Sequence, residues 1–283
     1  MAADPVRAAE EVLATHEVTS LPVSPHAIAE KLRIAVDGAH IDGASGILMY
    51  VGTTFGIRYA TNIDSSGSQR FSVAHELGHY HLPGHFEALL GSGVHRSRAG
   101  FQSDNSYERE ADLFASSLLM PRKLFTAALA KNGDGIEALR RVANLCDTSL
   151  IATAIRFTQC SDEPVAMVVT SGRTIDYCFM STSLKERPGI AWTRKNEPVP
   201  TDSLTQRFNR DPARVERAET REGSSVLSDW FGGPGDIETI EEVIGLGSYG
   251  KTLTILRGIE FADEEEEEEE ENLRESWTPR FRR

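Results

Sequence analysis

Apolar and polar positions along this chain follow two periods, and the changes of period mark its organisation. The first 35 residues read as two helices. Ser24 caps the second, Pro25-His26-Ala27-Ile28-Ala29-Glu30-Lys31-Leu32, and Arg33-Ile34-Ala35-Val36 opens a strand beyond it. The period then shortens to two: Gly46 to Val51 and Phe55 to Thr61 read as the arms of a hairpin around Gly52-Thr53-Thr54. A polar loop from Asn62 to Gln69 leads to a helix capped by Ser72, lined by Val73, Ala74, Leu77 and Tyr80, and stopped at Pro83-Gly84. The helical pattern returns from Ser106 to Met120, with Ala111, Leu113, Phe114, Ala115, Leu118 and Leu119 apolar and Pro121 closing the run. Helices over Gly135 to Leu145 and Leu150 to Phe157 follow, joined by a turn in which Asp147 or Thr148 supplies a cap.

Beyond Cys160 the period is two again. Pro164 to Thr170 and Thr174 to Met180 read as strands; after a loop-rich stretch come Val243 to Gly247 and Lys251 to Arg257. The expectation is an α+β chain: a mostly helical core with a small antiparallel sheet over residues 1–132, a helical pair at 133–160, and a second, smaller antiparallel α+β domain at 161–262. The last segment, 263–283, contains eight consecutive glutamates, Glu264 to Glu271, which cannot build a packed core and read as a disordered acidic tail.

Composition narrows the function classes. With 40% hydrophobic and 26% charged residues, the chain reads as a soluble globular protein. Its start lacks a basic region followed by an apolar core, and no stretch of about 18 residues is continuously apolar, so the expected location is the cytoplasm, away from membranes. Cys146, Cys160 and Cys178 match no zinc-finger spacing and read as reduced, structural thiols. The net charge of −13 argues against a general nucleic-acid binder. The helical pair at 133–160 has the outline of a helix-turn-helix. Residues 131–160, however, hold four basic against three acidic groups with no basic stripe, which favours two packed helices over direct DNA binding.

The chemistry is concentrated in His75-Glu76-Leu77-Gly78-His79. On a helix, residues four apart share a face, so His75 and His79 can direct ring nitrogens at one metal ion. Glu76, rotated about 100° from His75, can reach a water on the ion's open side. A catalytic zinc commonly takes three protein ligands, and two candidates for the third stand in the sequence. His85 lies six residues after His79, the offset of a three-histidine site, although Leu82 replaces the glycine such sites use and the glycine stands instead at Gly84. Alternatively, Glu108 and Asp112, four apart on the next helix, could act together. Glu108 would ligate the ion and Asp112 would accept the second N–H of a ligand histidine. Glu110, about 160° from Asp112 around the helix, is expected to face solvent. Tyr107, Tyr80 and His95 are candidates for stabilising an oxyanion.

Two blocks, His75-Glu76-Leu77-Gly78-His79-Tyr80 and Glu108-Arg109-Glu110-Ala111-Asp112-Leu113-Phe114-Ala115-Ser116-Ser117-Leu118-Leu119-Met120-Pro121, together resemble the ImmA/IrrE family of bacterial and phage metallopeptidases. Leu21-Pro22-Val23-Ser24-Pro25 and Gly43-Ala44-Ser45-Gly46-Ile47-Leu48 are similar to the family's entry region, and the resemblance spans about residues 15 to 160. It implies a zincin-like core, one Zn2+ (with Mn2+ as a substitute) on His75, His79 and Glu108, and Glu76 as base. It thereby favours Glu108 over His85. It further implies a protein substrate, a helix-turn-helix repressor, whose cleavage derepresses genes of stress response, DNA repair or mobile elements. Some family members carry a sensor-like domain after the peptidase core. The competing expectation is a zinc-stabilised module that binds a transcription factor without cutting it. Glu76 separates the two, because a residue that is not a ligand has no structural need to be acidic. An extended substrate is expected along an edge of the hairpin at residues 46–61.

Overall fold

A computed structural model describes residues 4–62, 65–91, 93–98, 105–233, 235 and 237–261. The acidic tail and part of the polar loop after Asn62 lie outside the described residues. The chain divides after Cys160 into two units, Met1–Cys160 and Ser161–Arg283.

In the first unit, α1 (Pro5–Thr15) is capped by Asp4, whose carboxylate accepts from the Val6 and Arg7 amides, and buries Ala9, Val12 and Leu13 at helical spacing. Helix α2 (Pro25–Lys31) begins with the expected Ser24 cap and Pro25. Strand β1 (Ala35–Ala39) starts two residues later than Arg33, which adopts the left-handed conformation at φ 58°. The hairpin is present as β2 (Gly46–Val51) and β3 (Thr54–Ala60).

Two features of the sheet differ from expectation. Its strand order, β1-β3-β2-β4, includes β4 (Val94–Ser97), and β1 runs parallel to β3, so the sheet is mixed and not purely antiparallel. The parallel pair arises because the chain from Ala39 to Gly46 crosses from one side of β3 to the other before the hairpin closes. Both hairpin strands are therefore interior, and the hairpin has no edge to offer an extended substrate. The terminal strands are β1 and β4.

Helix α3 (Ser66–His81) packs on β2 and β3 with one side and on α5 (Ser106–Leu119) with the other. It starts six residues before the expected Ser72. The cap is Ser65, whose hydroxyl accepts from the Ser68 amide, while Ser72 lies within the helix and donates to the Ser68 carbonyl. The added turn packs at Gly67, where a Cβ would stand 3.1 Å from the Thr148 Cα. Being covered on both sides, α3 buries every residue from Phe71 to His79, including its polar triplet. A second close approach sets its distance from α5: a Cβ at Gly78 would lie 3.1 Å from the Ala111 Cα. Facing small positions thus bring the two helix backbones together along the stretch that carries the histidines and carboxylates.

After α3, Pro83-Gly84 turns the chain, with Gly84 at φ 84°, into the short α4 (His85–Leu89). Helices α6 (Arg122–Asn132), α7 (Gly135–Cys146) and α8 (Leu150–Cys160) complete the unit. Asp147 ends α7 at φ 51° and pairs with Arg70 of α3 at 3.2 Å. Arg156, the one basic residue of α8, is buried and donates to the Met120 carbonyl at 2.9 Å and the Ser117 hydroxyl at 3.1 Å, fastening α8 to the end of α5. That use leaves α8 without the basic face a DNA-reading helix needs.

The second unit is a five-stranded antiparallel sheet, ordered β6-β5-β9-β8-β7, from β5 (Ala166–Ser171), β6 (Thr174–Met180), β7 (Thr220–Val226), β8 (Glu238–Gly245) and β9 (Thr252–Arg257). Leu184 of α9 (Thr182–Lys185) and Trp230 and Phe231 of α12 (Leu227–Phe231) join Val168, Ile175 and Leu256 in one core. Phe208 of α10 (Leu204–Asn209) and Val215 of α11 (Pro212–Glu216) pack with Val243 in another. Glu241, fully buried on β8, accepts from the Leu204 amide at 3.2 Å and from the Thr205 amide and hydroxyl at 2.6 Å, anchoring the start of α10 to the sheet. The whole chain is an α+β protein. Among the described residues no helix is long and apolar enough to cross a membrane.

Candidate metal centre

The close packing of α3 on α5 places His75, His79 and Glu108 so that one ligating atom of each lies within 4.8 Å of the other two. The two Nε2 atoms are 3.0 Å apart, and the Glu108 carboxylate stands 3.5 Å from His75 Nε2 and 3.3 Å from His79 Nε2. All three residues are buried. Each imidazole has its outer nitrogen engaged: His75 Nδ1 is 2.8 Å from Asp112 Oδ1, and His79 Nδ1 is 2.8 Å from His85 Nδ1. Asp112 thus lies against the outer side of His75, and the inner nitrogens converge on Glu108.

Both nitrogens of His85 face protein neighbours, and neither joins the cluster of His75, His79 and Glu108. Its Nδ1 is taken by His79, and its Nε2 lies 3.1 Å from Glu110 Oε2. Glu110 accordingly turns toward the centre and not fully to solvent, its side chain 31% exposed. Nothing in the helical wheel of α5 points to this pairing, because the turn after α3 is what carries His85 back to it. Among the oxyanion candidates, His95 on β4 reaches the centre, with Nε2 2.8 Å from Glu108 Oε1 and its ring 4.7 Å from that of His79. Tyr107 stands one shell further out, its ring edge-on to His85 at 4.9 Å. Tyr80 is placed elsewhere, edge-on to Phe55 at 4.9 Å and in the apolar cluster.

Glu76 is wholly buried, and neither carboxylate oxygen has a hydrogen-bond partner. A buried, unpartnered carboxylate is costly, which points to a ligand or water on its open side. Burial pushes its pKa up to about 7, against the opposing pull of His75 and the nearby Ser97 hydroxyl. Strand β2 makes room for it: a Cβ at Gly46 would lie 2.3 Å from Glu76 Oε1.

The electrostatics favour a cation. Burial works against a charge on His75, yet its bonds to Asp112 and Glu108 outweigh that and raise it to about 10. Burial lowers His79 to about 3, with Glu108 opposing. Burial alone would raise Glu108, but three imidazoles hold its carboxyl well below the usual range. Two carboxylates bearing on paired imidazoles attract positive charge, and two imidazole nitrogens with one carboxylate oxygen form a donor set suited to zinc. The residues present therefore fit one divalent ion.

Residues 43–158 match the IrrE N-terminal-like domain, Peptidase_M78. That segment is therefore similar to a domain of the ImmA/IrrE family. The matched segment starts in the approach to β2 and ends within α8, so it contains all the residues of the centre. A solved structure, a Mycobacterium tuberculosis transcriptional regulator, shares the fold with a TM-score of 0.58 at 16% identity, over 89% of this chain and 74% of that one. Among curated proteins none matches the chain. The ImmA/IrrE domain belongs to a family of peptidases, which agrees with the carboxylate poised beside the two histidines.

Proposed function

We propose that the protein is a zinc-dependent endopeptidase that cleaves a helix-turn-helix transcriptional repressor. The observation carrying this reading is the convergence of His75, His79 and Glu108 beside a buried Glu76 that no protein group satisfies. His75, His79 and Glu108 would hold the ion. When bound, zinc supplies a Lewis acid that polarises a carbonyl and lowers the pKa of a water toward about 7. Glu76 takes the proton of the attacking water and returns it to the leaving amine, as base and then as acid. Its pKa of about 7 suits both roles near neutrality. Asp112 holds His75 in the tautomer whose Nε2 lone pair faces inward. His95, whose side chain is 14% exposed and whose Nε2 lies 2.8 Å from Glu108 Oε1, would exchange that partner to donate to a developing oxyanion. An extended peptide would lie along β4, the terminal strand that carries His95, and not along the hairpin.

The repressor as substrate rests on the family relationship. The non-proteolytic alternative, a zinc-stabilised module that binds a transcription factor, leaves the buried acid Glu76 without a purpose. The test is incubation of the purified protein with a helix-turn-helix repressor encoded beside its gene, with zinc, with chelator, and with zinc restored. Cleavage that disappears with chelator and returns with zinc supports the proposal. Tight binding without cleavage under all three conditions would favour the alternative.

A further inference from the structure

The two histidines of the centre are held differently. His75 is anchored directly by a carboxylate, Asp112, whereas a whole imidazole stands between His79 and its nearest outer carboxylate, Glu110. The relay has only one proton arrangement compatible with a cation at the centre. For His79 Nε2 to present a lone pair to an ion, His79 must carry its proton on Nδ1 and donate it to His85 Nδ1. His85 must then carry its own proton on Nε2, which donates to Glu110 Oε2. The reverse arrangement puts a proton on His79 Nε2, aimed at His75 Nε2 only 3.0 Å away, and blocks the ligand position.

Packing supports the same arrangement. His85 is fully buried, its ring centroid 5.1 Å from that of His79, and Tyr107 stands edge-on to it from the first turn of α5. The left-handed Gly84, where a Cβ-bearing residue would be strained, lets the chain turn back so that His85 reaches α3.

We infer that His85 and Glu110 are positioning residues of the metal centre: Glu110 sets the tautomer of His85, and His85 sets the tautomer and ring orientation of His79. This inference rests on the metal-centre reading above and extends it by two residues, neither of which touches the ion. Partners of this kind commonly change metal affinity 10- to 100-fold when removed.

The test is zinc affinity of the full-length, metal-free protein, measured by competition with a chromophoric chelator, with the visible spectrum of the cobalt-loaded protein as a second readout. His85→Ala should weaken zinc binding by about 10- to 100-fold. Glu110→Ala should weaken it by a smaller factor, and because Glu110 is partly exposed this variant keeps the fold testable should His85→Ala fold poorly. His85→Asn, whose side-chain oxygen can accept from His79 Nδ1, should recover most of the lost affinity and restore the cobalt spectrum. A purely packing role would impair Ala and Asn equally in apo-protein melting and leave zinc affinity unchanged in both. Wild-type affinity in both alanine variants, or no recovery with asparagine, overturns the inference while leaving the metal centre intact. A wild-type protein that takes up no zinc overturns the centre, and the positioning pair with it.

Discussion

Gly46→Ala isolates the link between the sheet and the candidate base. Gly46 opens β2, paired to Tyr59 of β3 and Ser97 of β4, and its backbone is not in the left-handed region, so alanine adds a methyl group without backbone strain. That methyl would stand 2.3 Å from Glu76 Oε1 and 3.1 Å from its Cδ, and ordinary contact begins near 3.4 Å. The carboxylate must therefore retreat by about 1 Å, a displacement that costs on the order of 100-fold in rate when it separates a base from its reaction. The same overpacking should destabilise the protein by about 1–3 kcal/mol. Zinc affinity should not change, since Glu76 is not among the three converging ligand atoms. The assay compares cleavage rate at saturating substrate, zinc content and urea unfolding for Gly46→Ala and for a control, Gly56→Ala on β3. There the nearest atom to an added Cβ is the end of Met49 at 3.5 Å, an ordinary contact. Full activity in Gly46→Ala, or an equal loss in both variants, would refute the claim that the strand positions the base.

Other outcomes follow from the same geometry. Glu108→Ala should lose zinc at concentrations that saturate the wild type, because two imidazoles alone remain; metal analysis after dialysis checks this. Arg156→Ala should lower unfolding free energy by about 2–4 kcal/mol, since it strips donors from the buried Met120 carbonyl and Ser117 hydroxyl; denaturant unfolding in the apo form gives the number. His81 should make the apo protein acid-sensitive. Burial, with His16 adding to it, lowers its pKa from 6.5 to about 4, and its Nε2 has no hydrogen-bond partner. A depressed folded-state pKa means stability that is complete above pH 6.5 and lost as pH falls toward 4, up to about 3 kcal/mol in all. His81→Phe, which keeps the stack on Phe114, should flatten that acid limb in melting curves between pH 4 and 7.

Much of the centre was legible because helical geometry converts spacing into a shared face. His75 with His79 and Glu108 with Asp112 are each four apart, and the α+β order was carried by clear changes of period. What escaped was set by tertiary contact. Glu110 reads as a solvent-facing residue from its own helix, and only the turn at Pro83-Gly84 brings His85 to it. Strand β4, Val94-His95-Arg96-Ser97, is too short and polar to announce itself, so the filled edge of the hairpin was missed. Edge strand β7, Thr220-Arg221-Glu222-Gly223-Ser224-Ser225-Val226, is long enough but, lying at the sheet's edge, lacks the apolar pattern of the interior strands. The early start of α3 at Ser66-Gly67-Ser68-Gln69 runs against residue preference and is drawn out by packing of Gly67 on the turn at Thr148 and by the Ser66–Asp147 hydrogen bond. The value of Gly46 is visible only once Glu76 is seen beneath it.

A metal centre on His75, His79 and Glu108 is tested most directly by seeing where an ion binds. Crystals of the zinc-loaded protein, measured at the zinc absorption edge, should show one anomalous peak about 2.0–2.2 Å from His75 Nε2, His79 Nε2 and a Glu108 oxygen, with Glu76 outside the coordination sphere. A peak ligated by His85, or none between α3 and α5, would contradict it.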